Sequence, residues 1–410
     1  MTSLRAAAVK ASRILRTSGI RGLVQRAARV LYHRVGASGI DEPLLDDDIA
    51  DSTTLDLPVP ETRPTRGSML RIGWVMVPPS GGSGGHTTLF RMIAAFEDAG
   101  HTCVIFLYDR YGGDIREQEA VIRRWWPNIR AEVRNAAAGI DGVDACVASG
   151  WESAHVIARR ATDPMRRLYF IQDYEPFFYP HGPRYAFAED SYRFGFRCIA
   201  LGEMVAGLLH DELDVHADVA EFGCDTSSYR LLGDRARSGV VFFARPEYAR
   251  RGYWLGRVAL QRFHERHPDV PVHLYGDDVG DLGFPAVHHG KLTPAALNEL
   301  YNSVVAGLCL SFTNVSLVPE EMLAAGVVPV VNDSAYSRAV LGNEHLVWSS
   351  PTPDSLATAL GAALTTPDSA RRARTVAASV THRGWARAQG DVLRIVEDEV
   401  YGPRDAGTHG

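Results

Sequence analysis

The sequence predicts an α/β protein made of two doubly wound domains, preceded by a helical extension. Three observations carry that prediction. From Leu70 onward, short β-branched apolar runs alternate with segments of helical spacing, the pattern of parallel strands joined by crossover helices. The chain has 410 residues, more than one core of this kind fills. Turn chemistry sits at strand ends: residues 78–85 read Pro-Pro-Ser-Gly-Gly-Ser-Gly-Gly, and Gly326 divides a short helix from the run Val327–Val331.

In chain order, residues 1–35 show helical spacing of Leu4, Ala8, Ile14 and Leu15, then Leu23, Val24, Ala27, Val30 and Leu31, with arginines between. Such basic amphipathic helices suit an anionic membrane surface. Residues 36–69, rich in Gly, Asp, Pro and Thr, read as a linker. The first domain, 70–235, begins with a strand over 71–77, the glycine turn and a helix over 86–99. Strands are expected at 102–107, 129–133, 145–149, 168–171, 198–200 and near 219, with helices at 114–126, 152–161, 184–194 and 203–210. The second domain, 236–383, offers strands at 240–244, 270–275, 286–288, 305–310 and 327–331. Its helices are expected at 253–267, 294–301, 320–325, 353–366 and 368–380. A last helix, 384–401, is placed so that it crosses back to the first domain, and 402–410 reads as a tail.

Composition narrows the function. A 46 % hydrophobic and 22 % charged chain is ordinary for a globular protein, and no apolar run approaches the roughly 20 residues of a membrane span. With no signal peptide visible and five scattered cysteines without a Cys-x-x-Cys, the expectation is a cytoplasmic protein with reduced thiols, peripheral at the inner face of the membrane. The net charge of −6 hides eight cations and no acid in residues 1–40, which leaves −14 for the remainder. Nucleic acid is therefore not an expected partner. Only two lysines, Lys10 and Lys291, accompany 41 arginines.

The stretch Ser311–Asp333 organises the rest. Pro319 suits a first helical turn, Gly326 a left-handed stop, and Glu320 and Glu321 fall in the first turns of the helix between them. One glutamate would satisfy the helix dipole. The run resembles the nucleotide-sugar motif in the second domain of GT-B glycosyltransferases, where a glutamate five residues before the glycine accepts hydrogen bonds from the donor ribose. Here that position is Glu321. An earlier glutamate of the family pattern is replaced by Thr313. Val241–Tyr253 resembles the first strand and loop of the donor domain, which implies that Arg245 and either Arg250 or Arg251 neutralise the donor pyrophosphate. Cations fixed there stabilise the charge of the leaving diphosphate. Lys291, in His289–Pro294, adds a third.

Phe170–Gly182 and Thr313–Pro319 resemble segments of bacterial rhamnosyltransferases of the WsaF family. That resemblance implies a GT-B fold of two Rossmann-like domains facing a cleft, a nucleotide-sugar donor, dTDP-L-rhamnose, and a saccharide acceptor on a cell-surface glycan or lipid. Asn314 and Ser316 join the donor set. On the first domain, Gly84, Gly85 and His86 offer a helix start to an anion or to sugar hydroxyls. Asp173 and Glu175 follow a strand end, and Asp173 is taken either as the group handling the acceptor hydroxyl or as half of an ion pair. No cofactor and no metal are expected, since the one Asp-x-Asp spacing, Asp46–Asp48, lies in the linker. Two other classes compete, a nucleotide-sugar epimerase of the same double fold and a non-catalytic glycan-binding protein.

Overall fold

The computed structural model describes residues 42–314, 317–365, 368–380 and 384–403. The chain divides into two compact units, residues 1–49 and 50–410. The membrane-binding helices expected over 1–35 lie outside the described residues, as do most of the tail and Ser316. Of the first unit, the single turn Asp46–Asp48 carries the discounted Asp-x-Asp. Among the described residues no helix is long and apolar enough to cross a membrane.

The second unit contains two parallel sheets. The strands of the first are β1 (Arg71–Met76), β2 (Thr102–Leu107), β3 (Glu132–Asn135), β4 (Ala145–Ala148), β5 (Arg166–Ile171), β6 (Arg197–Leu201) and β7 (Ala217–Ala220), in the order β3-β2-β1-β4-β5-β6-β7. Those of the second are β8 (Val240–Ala244), β9 (Val272–Gly276), β10 (Val287–His288), β11 (Ala306–Cys309), β12 (Val328–Asn332) and β13 (Val347–Ser349), in the order β10-β9-β8-β11-β12-β13. Strand β12 is buried throughout, as a strand covered by helices on both faces should be. Each sheet reverses its winding once, between β1 and β4 and between β8 and β11. Ligands of open α/β sheets bind outside the carboxyl ends of the strands at such points. The loops that matter are therefore those after β1, β4, β8 and β11.

The helix Ala386–Tyr401 returns to the first sheet, where Ala388, Val392, Ile395, Val396 and Val400 share a core with Ile72, Trp74 and Phe96. Three local expectations are corrected. Strand β3 begins three residues later than its apolar run, because the Arg123 guanidinium takes the Ile129 and Ala131 carbonyls at 2.7 Å each. The helix before β12 ends one residue early, at Ala324, and starts at Val318, while Pro319 lies in its first turn as expected. Residues 50–69 are a fastened strap and not a free spacer. Ser52 Oγ donates to Asp190 at 2.6 Å, the Pro58 carbonyl accepts from Arg167 at 2.6 Å, and Arg66 pairs with Asp398 at 3.0 Å. A Pro-rich segment has few backbone donors to place, so side chains of the body can satisfy it.

Candidate active site at the two winding reversals

The loop after β8 supplies the arginines. It leaves the strand at Arg245, makes the turn Ala249–Arg251 and enters the helix Tyr253–Arg266 through Gly252. The loop after β11 runs beside it, with Phe312 N–H donating to the Arg250 carbonyl at 2.9 Å. Arg245 stacks on Tyr248, its guanidinium carbon 4.4 Å from the ring centre, and its Nε lies 3.1 Å from Asp277, just beyond β9. Lys291 Nζ approaches the other Asp277 oxygen at 4.0 Å while the lysine side chain stays 79 % exposed. The structure thus brings Arg245 and Lys291 together around one carboxylate, a residue the motif reading had not singled out.

Arg250 and Arg251 differ in what surrounds them. Arg250 lies flat on Phe178 of the first sheet's side, 4.1 Å from the ring centre, a stack contributing about 0.5–2 kcal/mol. Arg251 turns inward beside Phe242, Phe243, Leu308 and Val318, and its Nη1 is buried without a hydrogen-bond partner. Loss of solvent, with Arg250 and Arg245 close by, pulls Arg251 well below its ordinary value to about 10. Asp173 offsets part of that charge, and a partly buried guanidinium with an unpartnered Nη1 is a seat for a further anion.

Glu321 is half-buried in the helix Val318–Ala324. Burial pushes its carboxyl up to about 7, against the pull of Arg91 and with a further push from Asp225. Arg91 comes from the helix Gly84–Asp98; its Nη2 lies 3.4 Å from Asp225 and its guanidinium covers Trp385 at 4.8 Å. Gly326, at φ +80°, lies against Ala373, where an added Cβ would meet the backbone oxygen at 2.8 Å.

On the first sheet, Ser83 caps the helix by accepting His86 N–H at 3.4 Å, and Ser83 Oγ lies 2.9 Å from His86 Nδ1. His86 Nε2 is 3.3 Å from the Val77 carbonyl, and burial lowers its basicity, so a neutral ring donates there. Gly84 and Gly85 are the exposed first helical residues, whose N–H groups have no partner inside a helix. Gln172 Nε2 donates to the Gly85 carbonyl at 3.2 Å, tying the glycine turn to the segment after β5.

The acceptor-side carboxylates are placed differently from expectation. Asp173 makes neither an open base nor the expected ion pair: it is 9 % exposed, and its two oxygens accept Thr313 Oγ1–H and Asn314 N–H, each at 2.7 Å. Thr313, where the family pattern has a glutamate, meets a carboxylate from the other sheet instead. Asn314, expected to touch the donor, spends its Nδ2 on the Gln172 and Leu201 carbonyls at 2.7 and 3.3 Å. Glu175 is sealed among tyrosines, accepting Trp151 N–H at 2.5 Å and Tyr169 O–H at 2.6 Å. Burial and the neighbouring Glu152 push Glu175 well above the carboxylate range, and burial takes Glu152 up to about 7. Glu152 escaped notice because a glutamate in a helix's first turn reads as a dipole effect.

Residues 137–203 match the model of the WsaF N-terminal domain, and residues 238–361 that of the WsaF C-terminal domain. Two segments of this chain thus resemble the WsaF domains, on a fold shared with GT-B glycosyltransferases. The WsaF C-terminal match contains Arg245, Arg250, Arg251, Lys291 and Glu321, and the N-terminal match contains Asp173 and Glu175. The O-antigen biosynthesis protein RfbC of Myxococcus xanthus is 30 % identical over 269 residues, 62 % of this chain but only 20 % of that protein, so the chain spans about a fifth of that curated relative's length. Among solved structures, Anabaena HepE in complex with UDP and glucose superposes with a TM-score of 0.60 at 14 % identity, covering 80 % of this chain and 100 % of that one. A Listeria monocytogenes protein named as a candidate UDP-N-acetylglucosamine 2-epimerase superposes at 0.55 with 11 % identity, covering 81 % and 96 %. Transferases and a candidate epimerase share this fold, so the site and not the fold must decide the activity.

Proposed function

We propose that this chain transfers a sugar, L-rhamnose from dTDP-L-rhamnose, to a saccharide acceptor of a cell-surface glycan. The observation that carries the reading is Arg251: a guanidinium at the winding reversal whose Nη1 is buried without a hydrogen-bond partner, with Arg250 and Arg245 close by. A donor diphosphate supplies the anion that this seat lacks. As the glycosidic bond breaks, charge grows on the departing phosphate oxygens, and cations already fixed stabilise it without reorganising. Glu321, ionised, accepts the ribose hydroxyls. Gly84, Gly85 and His86 face the sugar from the first sheet, and Arg250 moves off Phe178 to reach the diphosphate. These arginines and the lysine take the place of a divalent ion, so transfer is insensitive to chelators. Residues 1–35 bring the protein to an anionic membrane surface, where lipid-linked acceptors are assembled.

A thermal-shift screen with dTDP, UDP and GDP tests the donor site. A diphosphate present at one hundred times its Kd stabilises by about 2.7 kcal/mol. A rise in Tm with dTDP above UDP and GDP supports the reading. No shift with any of the three removes the donor site.

A further inference from the structure

The loop after β11 is held from the opposite sheet. Ser311 N–H donates to Asn332 Oδ1 at 2.8 Å and Phe312 N–H to the Arg250 carbonyl at 2.9 Å, both inside the second sheet's half. The next tie, Asn314 N–H to Asp173 Oδ1, crosses to a segment 141 residues away. Thr313 Oγ1–H takes the other oxygen, and Asn314 Nδ2–H returns to the Gln172 carbonyl. Thr313 and Asn314 are 2 % and 3 % exposed, so water does not compete for these bonds. Burial works against the ionised form of Asp173, while the bonds from Asn314 and Thr313 and the positive charges of Arg251 and Arg250 favour it.

We propose that Asp173 is a positioning residue: it fixes the loop that leads to Glu321, and its loss is felt in donor binding and not in the chemical step. The inference rests on reading the second sheet's site as the donor site. It reverses what an acid/base role would give, and the two are separable by substitution. In Asp173→Asn the amide oxygen can accept Asn314 N–H while its NH2 donates to Thr313 Oγ1, because a hydroxyl accepts as well as donates. The tie survives, but a base does not. Asp173→Ala removes both acceptors, and Thr313→Val removes one donor at constant shape.

The full chain and these three variants are compared by calorimetry with dTDP, by donor KM and kcat, and by hydrogen exchange at Asn314 without ligand. Asp173→Ala is expected to weaken dTDP about 10- to 100-fold, the range for hydrogen bonds to a charged group, and Thr313→Val, which loses one bond of the two, about 3- to 10-fold. Asp173→Asn should stay within about threefold of the parent in affinity, with kcat also within about threefold. The Asn314 amide should exchange at least about tenfold faster in the Ala variant and not in the Asn variant. A kcat loss of about 10²–10⁴ in Asp173→Asn at unchanged donor affinity would restore the acid/base role and overturn the proposal. If the parent binds no nucleoside diphosphate, the donor reading fails by itself, and unchanged Asn314 exchange in Asp173→Ala would overturn the tie separately. Should the Ala variant not fold, Thr313→Val decides: parental dTDP affinity would refute the tie.

Discussion

Glu321→Gln should make the protein more stable and a poorer donor binder at the same time. Unfolded, a glutamate titrates near its ordinary 4.5, while in this fold burial holds Glu321 near 7. Between those values the folded state keeps a proton that the unfolded state has released. Stability therefore falls as pH rises from about 4.5 to about 7 and levels off above, a total loss on the order of 3 kcal/mol. The glutamine cannot ionise and escapes that loss. Urea unfolding across about pH 5 to 8 should show the two proteins close together at the acid end. The variant should be ahead by up to ~3 kcal/mol at the alkaline end. Donor binding runs the other way: ribose hydroxyls donate to the carboxylate, so dTDP affinity of the parent should rise through about pH 7. The variant should be flat and weaker by about 1–3 kcal/mol. Parallel stability curves for parent and variant would refute the buried-carboxylate argument, whatever the binding data gave.

Arg251→Met should likewise stabilise the unliganded protein, because a guanidinium pulled down to about 10 is held at a cost on the order of 3 kcal/mol. It should weaken dTDP at least about tenfold; a Met variant with parental affinity would move the phosphate cation to Arg250. Deleting residues 1–40, which carry eight cations and no acid, should release the protein from anionic vesicles in a salt-sensitive way. Sedimentation with vesicles that ignores both the deletion and added salt would rule out the membrane surface. Incubation with a chelator should leave transfer unchanged, and loss of activity restored by a divalent ion would add a metal to the mechanism.

Much of the architecture was legible because it is local. Alternating runs place strands and helices, and the turn after a strand is written in Gly and Pro beside it, so the glycine turn could be named from the residues, while Arg245 and Glu321 came from the resemblance to GT-B glycosyltransferases. What stayed hidden is non-local. Nothing near Asp173 says that Thr313 and Asn314 will take its oxygens. Nothing near Asp277 says that it will sit between Arg245 and Lys291. Nothing near Arg91 in the chain says that Asp225 and Trp385 will meet it. The edge strand β3 failed for a related reason, since its expected start is spoken for by a guanidinium from the preceding helix.

Incubation of the full chain with dTDP-L-rhamnose, with and without a saccharide acceptor, followed by mass spectrometry of both products, tests the proposed activity most directly. Release of dTDP with an acceptor heavier by one deoxyhexose is the expected result. An isomerised nucleotide sugar formed without acceptor would contradict it and make the chain an epimerase, and an untouched donor under conditions where dTDP binds would leave a glycan-binding protein in place of a transferase.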